Sequence, residues 1–218
     1  MSISLADAQR DELKNLVARV EKTAGVEIVP FIVSSSDSYE VVHWRAAAIG
    51  ALAFLLFAFA CFFLYDGWAL GWLYTGFGLA IGVVVAAASL ALAPLFSKPL
   101  FRILAGKTLL RRRTRARAER SFHAESVSAT EGRTGILVFI SLMERRIEII
   151  PDLAIARAVQ SSDWDVVIGQ IRETVRSKGP HEGMKAGIAA CGQVIEESGF
   201  VGSGQSGNEL RDDVRFGD

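Results

Sequence analysis

The sequence has few of the residues that build metal centres and disulfide frameworks. Its 218 residues include two cysteines and three histidines. Cys61 lies in an apolar run and Cys191 is far along the chain, so we expect no disulfide between them, and a reducing compartment fits. His43, His123 and His181 have no partner at metal-ligand spacing. The sequence therefore argues against a disulfide-stapled secreted domain and against a zinc site.

Charge is absent from two long runs. Residues 46–64 and 69–93 contain no Asp, Glu, Lys, Arg or His. Each run is long enough for a helix to cross a bilayer, which takes about 20 residues, and a helix that is apolar on every side belongs in lipid. Asp66 and Gly67 between the runs suit a turn in water. Ionisable groups inside a membrane mark ion and proton paths, and neither run contains any. The runs therefore predict a transmembrane hairpin over residues 46–96 that serves as an anchor.

A run of basic residues from Lys98 to Arg120 follows the second apolar run. Lys and Arg next to a span hold that end in the cytoplasm. We therefore predict two spans in the cell (inner) membrane, with both termini cytoplasmic. Basic residues this close to a membrane suit anionic lipid headgroups, an interpretation favoured over nucleic-acid binding. The candidate headgroup residues are Arg111, Arg112, Arg113, Arg115 and Arg117.

The second apolar run contains a GxxxG pattern, formed by Gly78 and Gly82. This pattern lets two transmembrane helices approach each other closely. The partner helix is either the other span of the same hairpin or a span of a second chain. Packing within the hairpin is the favoured interpretation, and dimerisation is the alternative.

The segments on either side of the hairpin predict one α/β domain. Residues 26–33, 136–141 and 146–150 are short runs typical of strands, and the last two are close enough to form a hairpin. Pro30 lacks a ladder donor, so the first strand is expected at a sheet edge or with a bulge. Neither flank supplies a complete sheet. We expect the first two strands to be parallel, because the chain crosses over between them.

These patterns divide the chain into five parts. Residues 1–45 form the first part of the domain, with one helix and one strand, and residues 46–96 form the transmembrane hairpin. Residues 97–130 form a basic juxtamembrane helix, and residues 131–198 complete the domain. Residues 199–218 are rich in Gly, Ser and Asp and are predicted to be a flexible tail.

Three segments outside the hairpin carry a resemblance to a known family. They are residues 23–29, Thr-Ala-Gly-Val-Glu-Ile-Val, residues 134–149 and residues 183–195. In this order, they resemble the first helix-to-strand junction, the second strand with its hairpin and third strand, and the last helix of the TPM domain family. The chain looks most like a small bacterial membrane branch with two spans inserted after the first strand. The resemblance implies a three-layer α/β/α domain with a small mixed sheet, interrupted by the hairpin.

The resemblance also bears on activity. The family has been called phosphatase-like, some of its members bind calcium, and others are accessory proteins of membrane complexes. Calcium is thus the one candidate cofactor that it implies. The family often has Gly two residues after the Asp that follows its third strand, whereas this chain has Asp152-Leu153-Ala154. The departure leaves less room for a close ligand and argues against carrying over metal or phosphatase chemistry.

The candidate site lies where the first two strands end. If these strands are parallel, Ser36 and Asp37 share a sheet edge with Glu144 and Arg145, and open α/β sheets bind ligands at such an edge. Asp37 and Glu144 are candidate oxygen ligands for a hard cation, and a solvated turn is the alternative interpretation. Asp152 belongs to the opposite edge and is expected to cap the next helix rather than to bind a metal.

Three functions are compatible with these features. The leading hypothesis is a membrane-anchored, non-catalytic interaction or accessory module at the cytoplasmic membrane face, with the lipid bilayer and an unknown membrane protein as partners. The first alternative is a phosphatase that depends on calcium or magnesium and uses the edge with Asp37 and Glu144. The second alternative is a sensor of anionic lipids that uses Arg111–Arg117.

Overall fold

A computed structural model describes residues 6–64, 68–200 and 210–217. The chain forms two compact units, one made of residues 1–37 and 111–218 and the other of residues 38–110. The helices are α1 (Asp7–Ala24), α2 (Glu40–Leu64), α3 (Gly76–Phe96), α4 (Lys98–Ala124), α5 (Leu153–Ala158), α6 (Ser161–Lys178) and α7 (Pro180–Glu197). The strands are β1 (Glu27–Val33), β2 (Gly135–Ser141), β3 (Arg146–Pro151) and β4 (Arg215–Gly217). Short 3-10 helices cover Trp68–Tyr74 and Val127–Ala129.

The first unit is built on a mixed sheet with the strand order β3-β2-β1-β4. β1 and β2 are parallel, with Glu27 opposite Gly135, and β2 and β3 are antiparallel. The predicted crossover between β1 and β2 and the predicted β2–β3 hairpin are thus confirmed. Gly25 ends α1 with φ of 65°, a left-handed conformation that glycine adopts without strain. The chain can therefore turn from α1 directly into β1.

The core of the first unit follows from strands that are apolar at nearly every position. All seven residues of β1 and of β2 are buried. Alternate residues of β2 enter two different hydrophobic clusters, as period-two side chains must. Ile136, Val138 and Ile140 join a cluster with residues of α1, α6 and α7. Leu137 and Phe139 join a second cluster that includes residues of α4.

The prediction that β1 is an edge strand or is bulged is wrong. Phe31–Val33 pair in parallel with Arg215–Gly217, so β1 has a neighbour on each side. Pro30 lies one residue before the segment that pairs with β4. Pro30 has no backbone N–H to donate, and none is needed on this side because β4 does not extend as far as Pro30.

The prediction that the chain is flexible from residue 199 onward is wrong for its last residues. Arg215–Gly217 form β4, and Val214 is buried in the first cluster. The ring of Phe216 packs against the same cluster, and the Arg10 guanidinium carbon lies 5.2 Å from its centre. These contacts could not be predicted from composition, because the C-terminal segment has few apolar residues and their partners are far away in the sequence.

The second unit contains two helices that are long and apolar enough to cross a membrane, α2 and α3. Only 11% and 6% of their most apolar windows are buried. Their exposed side chains include Phe63, Phe77 and Phe96. Large apolar side chains exposed in this way fit a membrane location. α2 begins at Glu40, before the predicted start of the hairpin, and α3 ends at Phe96.

The two glycines of the GxxxG pattern lie against different neighbours. A Cβ on Gly82 would lie 1.9 Å from the Phe54 ring of α2, so this glycine lets α2 and α3 pack closely. A Cβ on Gly78 would lie 2.1 Å from the Trp72 carbonyl oxygen, in the short helix before α3. Gly82 therefore serves packing within the hairpin, and Gly78 serves the close approach of the preceding turn.

Helix α4 is broken at Gly106, whose φ of 74° and ψ of 151° are not helical. The basic helix that the sequence places within residues 97–130 corresponds to α4, which ends at Ala124. The part of α4 after the break carries the arginine run. A glycine is suited to this break because a positive φ strains residues that have a Cβ.

Candidate functional site

The turn between β2 and β3 places Glu144 in the protein interior. The residue is only 4% exposed, and its carboxylate accepts hydrogen bonds from the Ser36 N–H at 2.8 Å and from the Ser141 hydroxyl. The Ser36 hydroxyl in turn donates to the Ser141 hydroxyl oxygen at 2.9 Å. Because Ser36 follows β1 and Ser141 ends β2, the carboxylate of Glu144 joins the ends of both strands.

Asp37 lies at the same end of the sheet but has a different role. Its carboxylate forms an ion pair with Arg113 of α4, with Nε and Oδ2 3.0 Å apart. The structure thus brings Ser36 and Glu144 together as predicted, and it pairs Asp37 with a guanidinium. Within residues 6–64, 68–200 and 210–217, no group of three or more His, Cys, Asp or Glu is placed to hold a metal ion.

Asp152 caps α5, which confirms the predicted N-cap. Its Oδ1 accepts the Leu153 N–H at 2.7 Å, and its Oδ2 lies 3.6 Å from Nε of Arg133. Asp152 itself is 6% exposed. A carboxylate at the start of a helix satisfies a backbone donor that has no partner within the helix. Asp152 is therefore a structural residue of the β3–α5 connection.

Of the five predicted headgroup arginines of α4, three line one cleft and two do not. Arg113 is paired with Asp37, and Arg117 is half-buried. The remaining three, Arg111, Arg112 and Arg115, line a cleft. A helix turns by about 100° per residue, so five arginines spread over residues 111–117 cannot all face one side of α4. The cleft therefore brings together three of these charges.

The cleft lies between α4, β3 and α6 and has a volume of about 560 Å³. An adjoining cleft of about 510 Å³ shares Arg146, Ile147 and Arg172 with it. The second cleft also has Arg145 and Arg176 in its lining. Sequence reasoning missed Arg146, Arg172 and Arg176 as candidate site residues, because only the packing of β3 and α6 brings them near α4. The four-residue spacing of Arg172 and Arg176, which places them on one helix face, was the available signal.

A group of carboxylates near the start of β1, two of them buried and Glu21 half-buried, was also missed. Glu21 accepts the Ile28 N–H at 2.7 Å, and Glu27 accepts the Leu210 N–H at 3.2 Å. Glu27 and Asp212 are both buried. Burial raises the pKa of Glu21 to about 8, and the charges of Glu27 and Asp212 act in the same direction. Glu21 is therefore protonated in the folded protein at neutral pH.

Glu21 predicts a loss of stability as the pH rises. The unfolded chain releases this proton near pH 4.5, whereas the folded protein holds it up to about pH 8. The folded state therefore binds more protons than the unfolded chain in this window. The stability that the Glu21 proton contributes is complete below pH 4.5 and is lost by about pH 8. Glu21→Gln keeps an acceptor for the Ile28 N–H but cannot ionise. We expect it to raise the unfolding free energy at high pH by about 1–2 kcal/mol, after allowance for solvent screening.

Urea unfolding at about pH 5 and about pH 8 tests this expectation, since it measures stability on both sides of the window. The probe is the fluorescence of Trp164, which is buried in the first unit, with the other three tryptophans replaced by Phe. Glu12→Gln is the control, because Glu12 is exposed and Lys185 lowers its pKa. An unchanged pH dependence in Glu21→Gln would contradict the assignment.

No protein-family model and no curated protein matches this chain. The chain is similar to the NMR structure of the BA42 protein from the psychrophilic bacterium Bizionia argentinensis. The TM-score is 0.58 and the sequence identity 13%, and the match covers 99% of this chain and 97% of the other. A likeness at this level of identity concerns the fold alone.

Proposed function

We propose that this protein is a membrane-anchored, non-catalytic interaction module at the cytoplasmic face of the cell membrane. The observation that carries the proposal is that both candidate metal ligands already have partners within the protein. Glu144 accepts hydrogen bonds from Ser36 and Ser141, and Asp37 is paired with Arg113. Calcium needs about six to eight oxygen ligands. Carboxylates that already hold backbone and side-chain donors would have to break these bonds to bind a cation.

The anchor in this proposal is the pair α2 and α3. Both helices are long and apolar enough to cross a membrane, and they are connected by a short segment. Basic residues lie at the outer ends of the pair, with Arg45 in the second turn of α2 and Lys98 just after α3. Such flanking charges favour two spans with both termini in the cytoplasm. The proposed partners are the lipid bilayer and a membrane protein that docks on the first unit.

The proposal includes a TPM-like, three-layer α/β/α arrangement for the first unit. Its support is the alternation along β2, whose residues enter one cluster with α1, α6 and α7 and another with α4. A strand that is apolar at consecutive positions needs cover on both faces of its sheet. The likeness to the BA42 protein supports a fold that extends over nearly the whole chain.

Calcium titration and phosphomonoester hydrolysis together test the proposal on the full chain in detergent. We expect no hydrolysis that depends on calcium or magnesium, and no calcium binding that Asp37→Ala or Asp152→Ala abolishes. Glu144→Gln should instead lower stability by about 1–3 kcal/mol, because it disturbs a buried acceptor. Metal-dependent hydrolysis that disappears in Asp37→Ala would overturn the proposal in favour of a phosphatase.

A further inference from the structure

Seven arginines from three separate parts of the chain surround the two adjoining clefts of the first unit. α4 contributes three of them, the β2–β3 turn and β3 contribute two, and α6 contributes two. They are Arg111, Arg112, Arg115, Arg145, Arg146, Arg172 and Arg176. The carboxylates in the same lining are Glu119, Glu148 and Asp165. Seven positive charges against three negative ones leave a net charge of four positive units.

Most of these arginines have no carboxylate partner among the residues that the structure describes. Arg115 pairs with Glu119 at 2.7 Å and with Glu148 at 3.6 Å, and Arg146 approaches Glu148 at 3.9 Å. The other five form no ion pair with any described residue. Like charges held close together in a cleft repel each other and attract anions. The arrangement is therefore suited to a ligand that carries several negative charges.

The lining also provides directed donors and an apolar floor. Nε of Arg146 is buried and makes no hydrogen bond to any described residue. Ile147 is buried and Ile168 is half-buried, so part of the wall excludes water. Arg145 is held at φ of 54°, a left-handed conformation that favours glycine.

We propose that these clefts form one binding site for a phosphate-bearing ligand. Arg146 and Arg172 line both clefts and are therefore at its centre. Guanidinium groups bind phosphate with two parallel hydrogen bonds, which makes arginine a preferred residue for phosphate recognition. A volume of about 560 Å³ admits a small ligand with one or two phosphate groups. The ligand is either a soluble phosphate compound or a phospholipid headgroup. The site goes beyond the proposed function and does not depend on it.

Pyrophosphate is the probe for this site, titrated by calorimetry into the full chain in detergent at low salt. We expect wild-type protein to bind it, and Arg172→Gln to weaken binding about tenfold or more, as the loss of a charged hydrogen-bonding partner should. Arg120→Gln is the matched control, because Arg120 is exposed on α4, loses the same charge and does not line either cleft. Its affinity should stay close to that of wild type.

Arg145→Gly separates loss of the site from loss of the fold. Glycine relieves the left-handed conformation at this turn, so the variant should fold at least as well as wild type. It should nevertheless bind pyrophosphate more weakly, because it removes a guanidinium from the lining. Wild-type protein that does not bind pyrophosphate, or equal weakening in Arg120→Gln and Arg172→Gln, would overturn the proposal.

Lipid nanodiscs distinguish the two sources of phosphate. The same titration is made in discs of phosphatidylcholine alone and in discs that also contain phosphatidylglycerol. If the anionic lipid weakens pyrophosphate binding to wild type by more than its negative surface potential lowers the local pyrophosphate concentration, a lipid headgroup occupies the site. If the affinity is equal in both discs, the natural ligand is a soluble phosphate compound. Either result identifies the ligand class of a site that the arginine variants have established.

Discussion

Replacing Phe139 with Ala is expected to lower the free energy of unfolding of the first unit by about 3–5 kcal/mol. Phe139 is fully buried in β2, and its ring lies 5.7 Å from the ring of Phe31 in the adjacent strand. Both rings belong to the second hydrophobic cluster, together with Phe122 of α4. Removing the ring loses its transfer free energy and leaves a cavity that the rigid strands cannot close.

Urea unfolding followed by Trp164 fluorescence measures this loss in the first unit. Phe139→Leu should cost less than about 1.5 kcal/mol, because it keeps much of the apolar volume. Val166→Ala on α6 is an exposed control, since Val166 is 60% exposed and its loss should change stability by less than about 0.5 kcal/mol. If Phe139→Ala costs no more than Val166→Ala, the second cluster does not stabilise the unit.

The sequence allowed β1, β2 and β3 to be predicted from local patterns between turn signals. β1 and β2 are short, mostly apolar runs, and β3 alternates polar and apolar residues over Arg146–Ile149. Residues 136–141 are apolar up to Ser141, and this local pattern sufficed for a buried strand. β4 lacked such a signal. It has three residues, Arg215–Gly217, at the end of a segment rich in Gly and Ser. Its pairing depends on an open edge of β1, which is a property of the assembled sheet.

The same difference between local and tertiary signals applies to the site residues. Ser36 and Glu144 could be placed together because the carboxyl ends of parallel strands meet at one edge of a sheet. The ion pair between Asp37 and Arg113 could not be predicted from the sequence, because it depends on how α4 packs on the sheet. The position of Arg172 beside the α4 arginines likewise depends on the packing of α6, which the amphipathic pattern of a helix does not specify.

Removing residues 210–218 is expected to lower the stability of the first unit by about 3 kcal/mol. A fully buried aliphatic or aromatic side chain contributes about 1.5–3 kcal/mol. Val214 is buried in the first cluster, and Phe216 and Leu210 pack partly against the two clusters. The truncation also removes the ion pair between Arg215 and Glu125.

The same truncation exposes the β1 edge at Phe31–Val33, which β4 covers in the full chain. An apolar strand with open backbone donors and acceptors is a template for pairing with another chain. We therefore expect the truncated protein both to unfold at lower urea and to self-associate in light scattering. Asp213→Asn is the control for charge alone, because the pair with Lys14 at 3.2 Å is exposed and should contribute less than about 1 kcal/mol. A truncated protein that unfolds at the same urea concentration as the full chain would show that β4 adds no stability to the first unit.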